Sequence, residues 1–282
     1  MLGSALCQLY SPNNKVFAFH RDKIFYLDRV ENYSLDLIEL NKLNKLFGQI
    51  KPDIVIHCAG LINIDFCERE PELANAGNVT VTENIARICS SKTKLIYIST
   101  DQVYGDIIDY SENRENLNPL NQYGKTKLLG EQKVRALCTD YIIVRTNIFG
   151  WNIKPARISS AEWMYDSLKK GKDITLFTDY TFSPIHTGYF GEILMQLIEM
   201  DFKGLINVGS LKPCSKYDFG MQLAKIFGFN SSHIKKRLID NHPFLAPRFV
   251  NLGLNVKKLL SLNIQPPNYE LSIRQFSRDR LI

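Results

Sequence analysis

The sequence has no apolar run approaching the ~18–20 residues that a helix needs to cross a bilayer, so no segment reads as a membrane helix. Its start, Met1-Leu2-Gly3-Ser4-Ala5-Leu6-Cys7, has neither a basic region nor a long apolar segment and does not read as a signal peptide. A cytoplasmic protein is expected. Six cysteines (Cys7, Cys58, Cys67, Cys89, Cys138, Cys214) are scattered, with no Cys-x-x-Cys pair. Five histidines (His20, His57, His186, His233, His242) show no ligand spacing. Neither a metal site nor a disulfide framework is therefore expected, and the thiols read as free and buried or half-buried. There is no lysine-arginine block and no interleaving of basic with aromatic residues, so the net charge of +6 does not point to nucleic acid. Internal repeats and low-complexity tracts are also missing.

What is present is an ordinary globular composition. In 282 residues, 45% are apolar and 23% charged, enough for a sizeable core in one or two domains. Apolar spacing predicts a helix over Leu2 to Tyr10, a strand over Lys15 to His20 and a helix over Ser34 to Phe47 with Ser34 as N-cap. A strand follows at Asp53 to Cys58, a helix at Pro71 to Ser90 and a strand at Lys94 to Ser99. After a polar loop from Asp106 to Leu120 come a helix from Tyr123 to Leu137 and a strand from Tyr141 to Arg145. This alternation predicts an α/β fold, a doubly wound parallel sheet covered on both faces. Ligands of such sheets bind beyond the carboxyl ends of the strands. That rim would hold Cys58-Ala59-Gly60, Ser99-Thr100-Asp101 and Thr146-Asn147-Ile148. From residue 149 the rhythm turns irregular. Strands at Asp173 to Phe177 and Gly204 to Gly209 and helices at Gly188 to Met200 and Ser215 to Phe227 suggest a smaller lobe over the rim. The division expected is 1–148 for the sheet domain and 149–282 mainly for the lobe, with some segments returning to the sheet.

One further absence concerns the front. A doubly wound nucleotide-binding fold opens with a strand, a Gly-rich turn and a helix whose N-terminus holds the pyrophosphate. This sequence opens inside that helix, with Gly3 where the last glycine of Gly-x-x-Gly-x-x-Gly would stand. The strand not seen would be central in the sheet. The expectation is a true start upstream of Met1, the alternative a naturally shortened chain.

The stretch Asn121-Gln122-Tyr123-Gly124-Lys125-Thr126-Lys127 carries the chemistry. On a helix, Tyr123 and Lys127 lie on one face about one turn apart. An ammonium there would lower the phenol from its usual value of about 10, so that Tyr123 could exchange a proton with a carbonyl or alcohol oxygen. An isolated Tyr-x-x-x-Lys is more often an ordinary surface pair, so the rest of the chain has to decide.

Thr100 after a strand, Tyr123 downstream and Lys127 one turn on together resemble the extended short-chain dehydrogenase/reductase superfamily. Within it the sequence resembles the dTDP-4-dehydrorhamnose reductase family. The likeness is carried by Lys51 to Ala59, Glu68 to Ala74, Ile98 to Tyr104, Tyr123 to Glu131, Arg145 to Gly150 and Pro247 to Leu252. It implies a Rossmann-type NAD(P)-binding domain with a substrate-binding lobe. It also implies reduction of the 4-keto group of a nucleotide-linked 6-deoxy sugar, for cell-surface polysaccharide. By the resemblance, Tyr123 is the general acid, Lys127 lowers its pKa and meets the nicotinamide ribose, and Thr100 hydrogen-bonds the developing oxyanion. Cofactor positions implied are Gly3, Arg21, Asp36, Leu37, Cys58, Ala59, Gly60, Ser99, Asn147 and Ile148, besides Tyr123 and Lys127. Arg21, following the second strand of the fold, favours NADPH, with NADH possible. Substrate positions implied are Thr100, Asp101 and Arg248, the last for the diphosphate. Asp101-Gln102 differs from the Asp-Glu of the superfamily's dehydratases, and an amide cannot serve as their base. An epimerase stays open, as does a non-catalytic regulatory protein like the subunit that partners methionine adenosyltransferase. A homodimer is what the family suggests.

Overall fold

The computed structural model describes residues 1–21, 26–89, 93–105, 110–114, 116–153, 158–241 and 243–280. Part of the anticipated 106–120 loop, Ser90 at the end of an anticipated helix, and His242 lie outside them. The first half alternates as anticipated: α1 (Leu2–Tyr10), β1 (Val16–His20), β2 (Val30–Ser34), α2 (Leu40–Ile50), β3 (Ile54–His57), α3 (Ile64–Arg69), α4 (Pro71–Asn75), α5 (Val81–Ile88), β4 (Lys94–Ile98), α6 (Gln122–Leu137) and β5 (Tyr141–Phe149). The second half adds α7 (Ser160–Lys169), β6 (Ile174–Phe177), β7 (Thr181–Phe182), β8 (Pro184–His186), α8 (Thr187–Glu199), β9 (Gly204–Val208), β10 (Cys214–Ser215) and α9 (Lys216–Phe227). It closes with β11 (Ile234–Arg237), β12 (Asn251–Leu252), α10 (Lys257–Ser261) and α11 (Tyr269–Arg278).

The main sheet runs β3-β4-β5 in parallel, and β5 continues into pairings with both β8 and β9. Strict alternation puts its side chains on two faces. Ile96, Ile142 and Val144 pack with Leu6, Phe190 and Leu194 of α1 and α8. Leu95, Tyr97 and Ile143 pack on the other face with Ile85 of α5 and Val134 of α6. A third core, built on Met164, Leu176, Phe219 and Phe276, belongs mostly to the second half and takes in Tyr104, Tyr110 and Phe149 from the first. Two smaller sheets, β6-β11 and β10-β7-β12, lie in that half.

Four expectations are corrected. The helix anticipated from Ser34 is a strand, β2, ending at Ser34, and the helix begins at Leu40 with Glu39 as N-cap and no side-chain cap bond. Register explains it: Val30 to Ser34 pair in parallel with Val16 to His20, which holds Ser34 in a strand, while Leu40, Leu43 and Phe47 keep their helical spacing in α2. The anticipated helix from Pro71 is α4 and α5 joined by a π-helical turn, Ala76–Thr80, with an additional helix, α3, before it. The strand from Tyr141 extends to Phe149, because Asn147, Ile148 and Phe149 pair with β8; Asn147 and Ile148 are thus strand residues rather than a loop exit. The strand from Gly204 stops at Val208.

The sheet is also divided. Among the described residues β1 and β2 form a two-stranded sheet of their own, not hydrogen-bonded to β3. In a doubly wound order a central strand would join the two. Here α1 links them instead, packing on α8 through Leu6 and Leu9 against Gly191 and touching β1.

Candidate active site

Helix α6 is set by its first turn. The Asn121 side chain, fully buried, accepts from the Gly124 N–H (2.9 Å) as N-cap, while its amide donates to Gln102 Oε1 (3.2 Å) and the Pro247 carbonyl (3.1 Å). The Gln122 N–H donates to the Glu68 carboxylate (2.9 Å). A side chain at Gly124 would strike the Gln102 backbone, so glycine lets the helix start lie directly on the rim. Tyr123 is thereby held beside Thr100.

Thr100 lies two residues past β4 and caps the short turn Asp101–Val103. Its hydroxyl donates to Asp101 Oδ1 (3.1 Å) and accepts from the Gln102 N–H (3.3 Å). The other Asp101 oxygen accepts from the Asn147 amide (2.6 Å), and Gln102 Nε2 donates to Oδ1 (3.4 Å). Burial pushes the Asp101 carboxyl up, and these donors pull it back. Burial is also the dominant influence on Tyr123, raising its phenol well above the usual value, with the neighbouring Thr100 hydroxyl lowering it and Asp101 raising it further.

The expected effect of Lys127 on Tyr123 is not found. Lys127 is buried, with its Nζ 4.0 Å from the centroid of the Tyr97 ring. Desolvation pulls its amine down to about 7, against the pull of Glu131 and Cys58. A group that is itself half discharged at neutral pH, and lodged on Tyr97, does not offset the burial of Tyr123. Glu131, one turn further, is fully buried and holds Arg145 in a bidentate pair (2.9 and 2.7 Å). The Ser99 hydroxyl donates to the same carboxylate (2.6 Å), so the Ser99 side chain points beneath the rim and only its backbone lies on it.

The cofactor positions divide into two groups. Gly3, Cys58 and Lys127 are neighbours: a Cβ on Gly3 would lie 3.7 Å from Cys58 Cβ, and the Cys58 thiol, pushed up to about 12 by burial and by Cys7, is drawn back by Lys127. Ala59 is exposed and Gly60 half-buried. A Cβ on Gly60 would come 2.9 Å from Asn78 Oδ1. Arg21, Asp36 and Leu37 belong instead to the β1-β2 sheet: Arg21 is exposed just past β1, and Asp36 and Leu37 follow β2. Asp36 lies in a turn rather than in a first helical turn, its Oδ1 accepting from the Ile38 N–H (3.1 Å). The Leu37 carbonyl accepts from Asn84 (3.2 Å). Ile148 packs half-buried on the face of α1 and α8. Arg248 is ion-paired with Asp65 (2.9 Å) and lies 4.7 Å from the Phe244 ring centroid.

Several contributors escaped the sequence reading. Asn78, in the π-helical turn, accepts from the Leu61 N–H (2.8 Å) and donates to the Leu61 carbonyl (3.0 Å) and the Thr126 hydroxyl (3.0 Å). It ties the Cys58–Gly60 turn to the Tyr123 helix. Tyr180 and Lys216 come from the second half to face Asp101. Nothing in their local spacing signals this; only the return of the chain over the rim does. Among the described residues no three His, Cys, Asp or Glu side chains gather as metal ligands would, and no helix is long and apolar enough to cross a membrane.

Comparison with known proteins agrees with this geometry. Over 222 residues the chain is 27% identical to the probable low-salt glycan biosynthesis reductase Agl14 of Haloferax volcanii, covering 77% of this chain and 74% of that one. It is 28% identical to the methionine adenosyltransferase 2 subunit beta of Xenopus laevis, covering 86% and 74%. The crystal structure of dTDP-4-dehydrorhamnose reductase from Bacillus anthracis in complex with NADP superposes with a TM-score of 0.81 at 26% identity, covering 89% of this chain and 90% of that one. The family model described as RmlD substrate binding domain matches residues 1–281. With a parallel sheet, the Thr100–Tyr123 contact at its rim and this match along nearly the whole length, the chain belongs to the RmlD substrate binding domain family and has the extended short-chain dehydrogenase/reductase fold.

Proposed function

We propose that this protein is an NADPH-dependent reductase of the 4-keto group of a nucleotide-linked 6-deoxy sugar, serving cell-surface polysaccharide synthesis in the cytoplasm. The observation that carries the reading is the Tyr123 phenol beside the Thr100 hydroxyl at the carboxyl end of β4. A dinucleotide suits the residues beside it. The Lys127 ammonium is buried and donates to no acceptor among the described residues, and Gly60 keeps the turn after Cys58 free of a side chain. Gly3, Cys58, Ala59, Gly60, Lys127, Asn147 and Ile148 would hold it, with Asp36 and Leu37 toward the adenine and Arg21 toward a 2′-phosphate. When bound, a nicotinamide cofactor supplies hydride to a carbonyl carbon.

The chain's own residues then provide the proton and the charge stabilisation. A phenol raised by burial keeps its proton at neutral pH, which suits a donor to a keto oxygen becoming an alkoxide. The Thr100 hydroxyl, fixed by Asp101 and the Gln102 N–H, can turn its hydrogen to that oxygen. Lys127, when protonated, adds positive charge one turn away. Gln102 supplies an amide where a dehydratase needs a carboxylate, so reduction is favoured over elimination. The test is NADPH oxidation with dTDP-4-keto-6-deoxy-mannose. Tyr123→Phe should lower turnover by about 10²–10⁴-fold with cofactor binding retained; undiminished turnover would refute the assignment.

A second reading is a regulatory subunit, favoured by the likeness to the methionine adenosyltransferase subunit. An NADPH titration bears on the choice: no binding at high micromolar concentrations would favour this second reading. An epimerase differs again in retaining its cofactor through the cycle.

A further inference from the structure

Beyond Asp101 lies a second lysine. Lys216 opens α9 directly after its N-cap, Ser215. Its N–H donates to the Tyr180 carbonyl (3.0 Å). Its ammonium lies 3.4 Å from the centroid of the Phe182 ring and 5.4 Å from that of Tyr180. Among the described residues it donates to no acceptor. An ammonium has three donors, and aromatic faces accept none of them as a hydrogen bond would.

Among the described residues no carboxylate is bonded to this ammonium. The groups that draw on Lys216 are the Asp101 carboxyl and the Cys214 thiol. Asp101 is already taken up by Thr100, Gln102 and Asn147, and burial pushes the Cys214 thiol up to about 12, so it stays neutral. Desolvation holds the Lys216 amine down at about 8. Tyr180 lies between the influences of Asp101 and Arg248 and reaches Gln102. Lys216, Tyr180 and Phe182 therefore form a wall from the second half of the chain that meets the rim at Asp101. Arg248 is engaged with Asp65, which leaves Lys216 as the cation on this wall without a carboxylate bonded to it among the described residues.

We propose that Lys216 is a specificity residue that holds an oxyanion of the substrate, either a phosphate of the diphosphate linkage or a carboxylate on the sugar. The proposal rests on the sugar-nucleotide reading above. A phosphate or carboxylate oxygen gives the ammonium the acceptor it lacks, and its approach is electrostatically favoured over that of a neutral group. The apolar stem of Lys216 remains on the aromatic wall, and the charge is presented at its end.

The test is isothermal titration of the full chain and Lys216→Met with four probes: dTDP, thymidine, UDP-glucuronate and UDP-glucose. Weakening of dTDP by roughly ten- to hundredfold, with thymidine unchanged, places the diphosphate on Lys216. A loss confined to UDP-glucuronate, with UDP-glucose unchanged, places a sugar carboxylate there. Lys216→Arg should restore most of either loss. Equal affinities of wild type and Lys216→Met for all four probes overturn the role of Lys216 and leave the sugar-nucleotide reading standing. A wild-type chain that binds none of the four overturns both. If the methionine variant fails to fold by circular dichroism, Lys216→Gln is read in the same way.

Discussion

Lys127 shows how one buried residue couples function to stability. Its amine is near 7 in the folded chain against an ordinary 10.5. Between those values the unfolded chain binds more protons, so this group adds stability as pH rises through the window, and withholds it below about 7. Lys127→Met should therefore raise the melting temperature most at pH values below 7, with the difference closing by pH 10.5, while removing activity. A melting temperature lowered at every pH would contradict the assigned burial. Glu131 bears on stability through its ion pair. It is fully buried and paired with Arg145 and Ser99. Glu131→Ala should cost about 3–5 kcal/mol in denaturant unfolding, because it strands a buried guanidinium.

At the scale of elements, helix α6 and one turn carry the site. Helix α6 is legible in the sequence, since Asn121 is an ordinary N-cap and the Tyr-x-x-x-Lys spacing holds. The π-helical turn is not: Gly77, Asn78 and Thr80 are weak helix formers, but composition does not distinguish a widened turn from a break, and the extra residue shows only in the backbone. Yet that turn aims Asn78 at Leu61 and Thr126. Asn78→Ala should destabilise by about 1–3 kcal/mol, since it leaves the Leu61 N–H and carbonyl without these partners. Its kinetic signature should be a lowered kcat that Tyr123 substitution does not compound. Full additivity of the two losses would argue that Asn78 does not act through the Tyr123 helix.

For the whole molecule, the consequential feature is the division of the sheet between β1 and β3. The β3 edge is partly open, with Ile54 37% exposed, and an unpaired edge is a template for further pairing. Extending the chain before Met1 with an apolar strand and a Gly-x-x-Gly turn should join the two sheets. The expected outcome is a higher melting temperature and tighter NADPH binding, measured by calorimetry and titration. An extension that changes neither would show that the divided sheet is self-sufficient. Partner choice belongs to this scale too; a homodimer is proposed, to be read by sedimentation.

The sequence by itself determined the α/β alternation, the covered parallel sheet and the Thr100–Tyr123–Lys127 spacing. Those depend on local apolar periods and on one helical turn, which neighbouring residues fix without the rest of the chain. It misread Ser34 as a cap because strand pairing with β1 is a long-range term that local spacing does not contain. Only the tertiary structure decided the charges at the site. Burial, not the nearby lysine, sets the Tyr123 phenol, and burial also pulls the Lys127 amine down. It alone brought Tyr180 and Lys216 to Asp101, since desolvation and approach across the chain arise only when distant segments close over one rim.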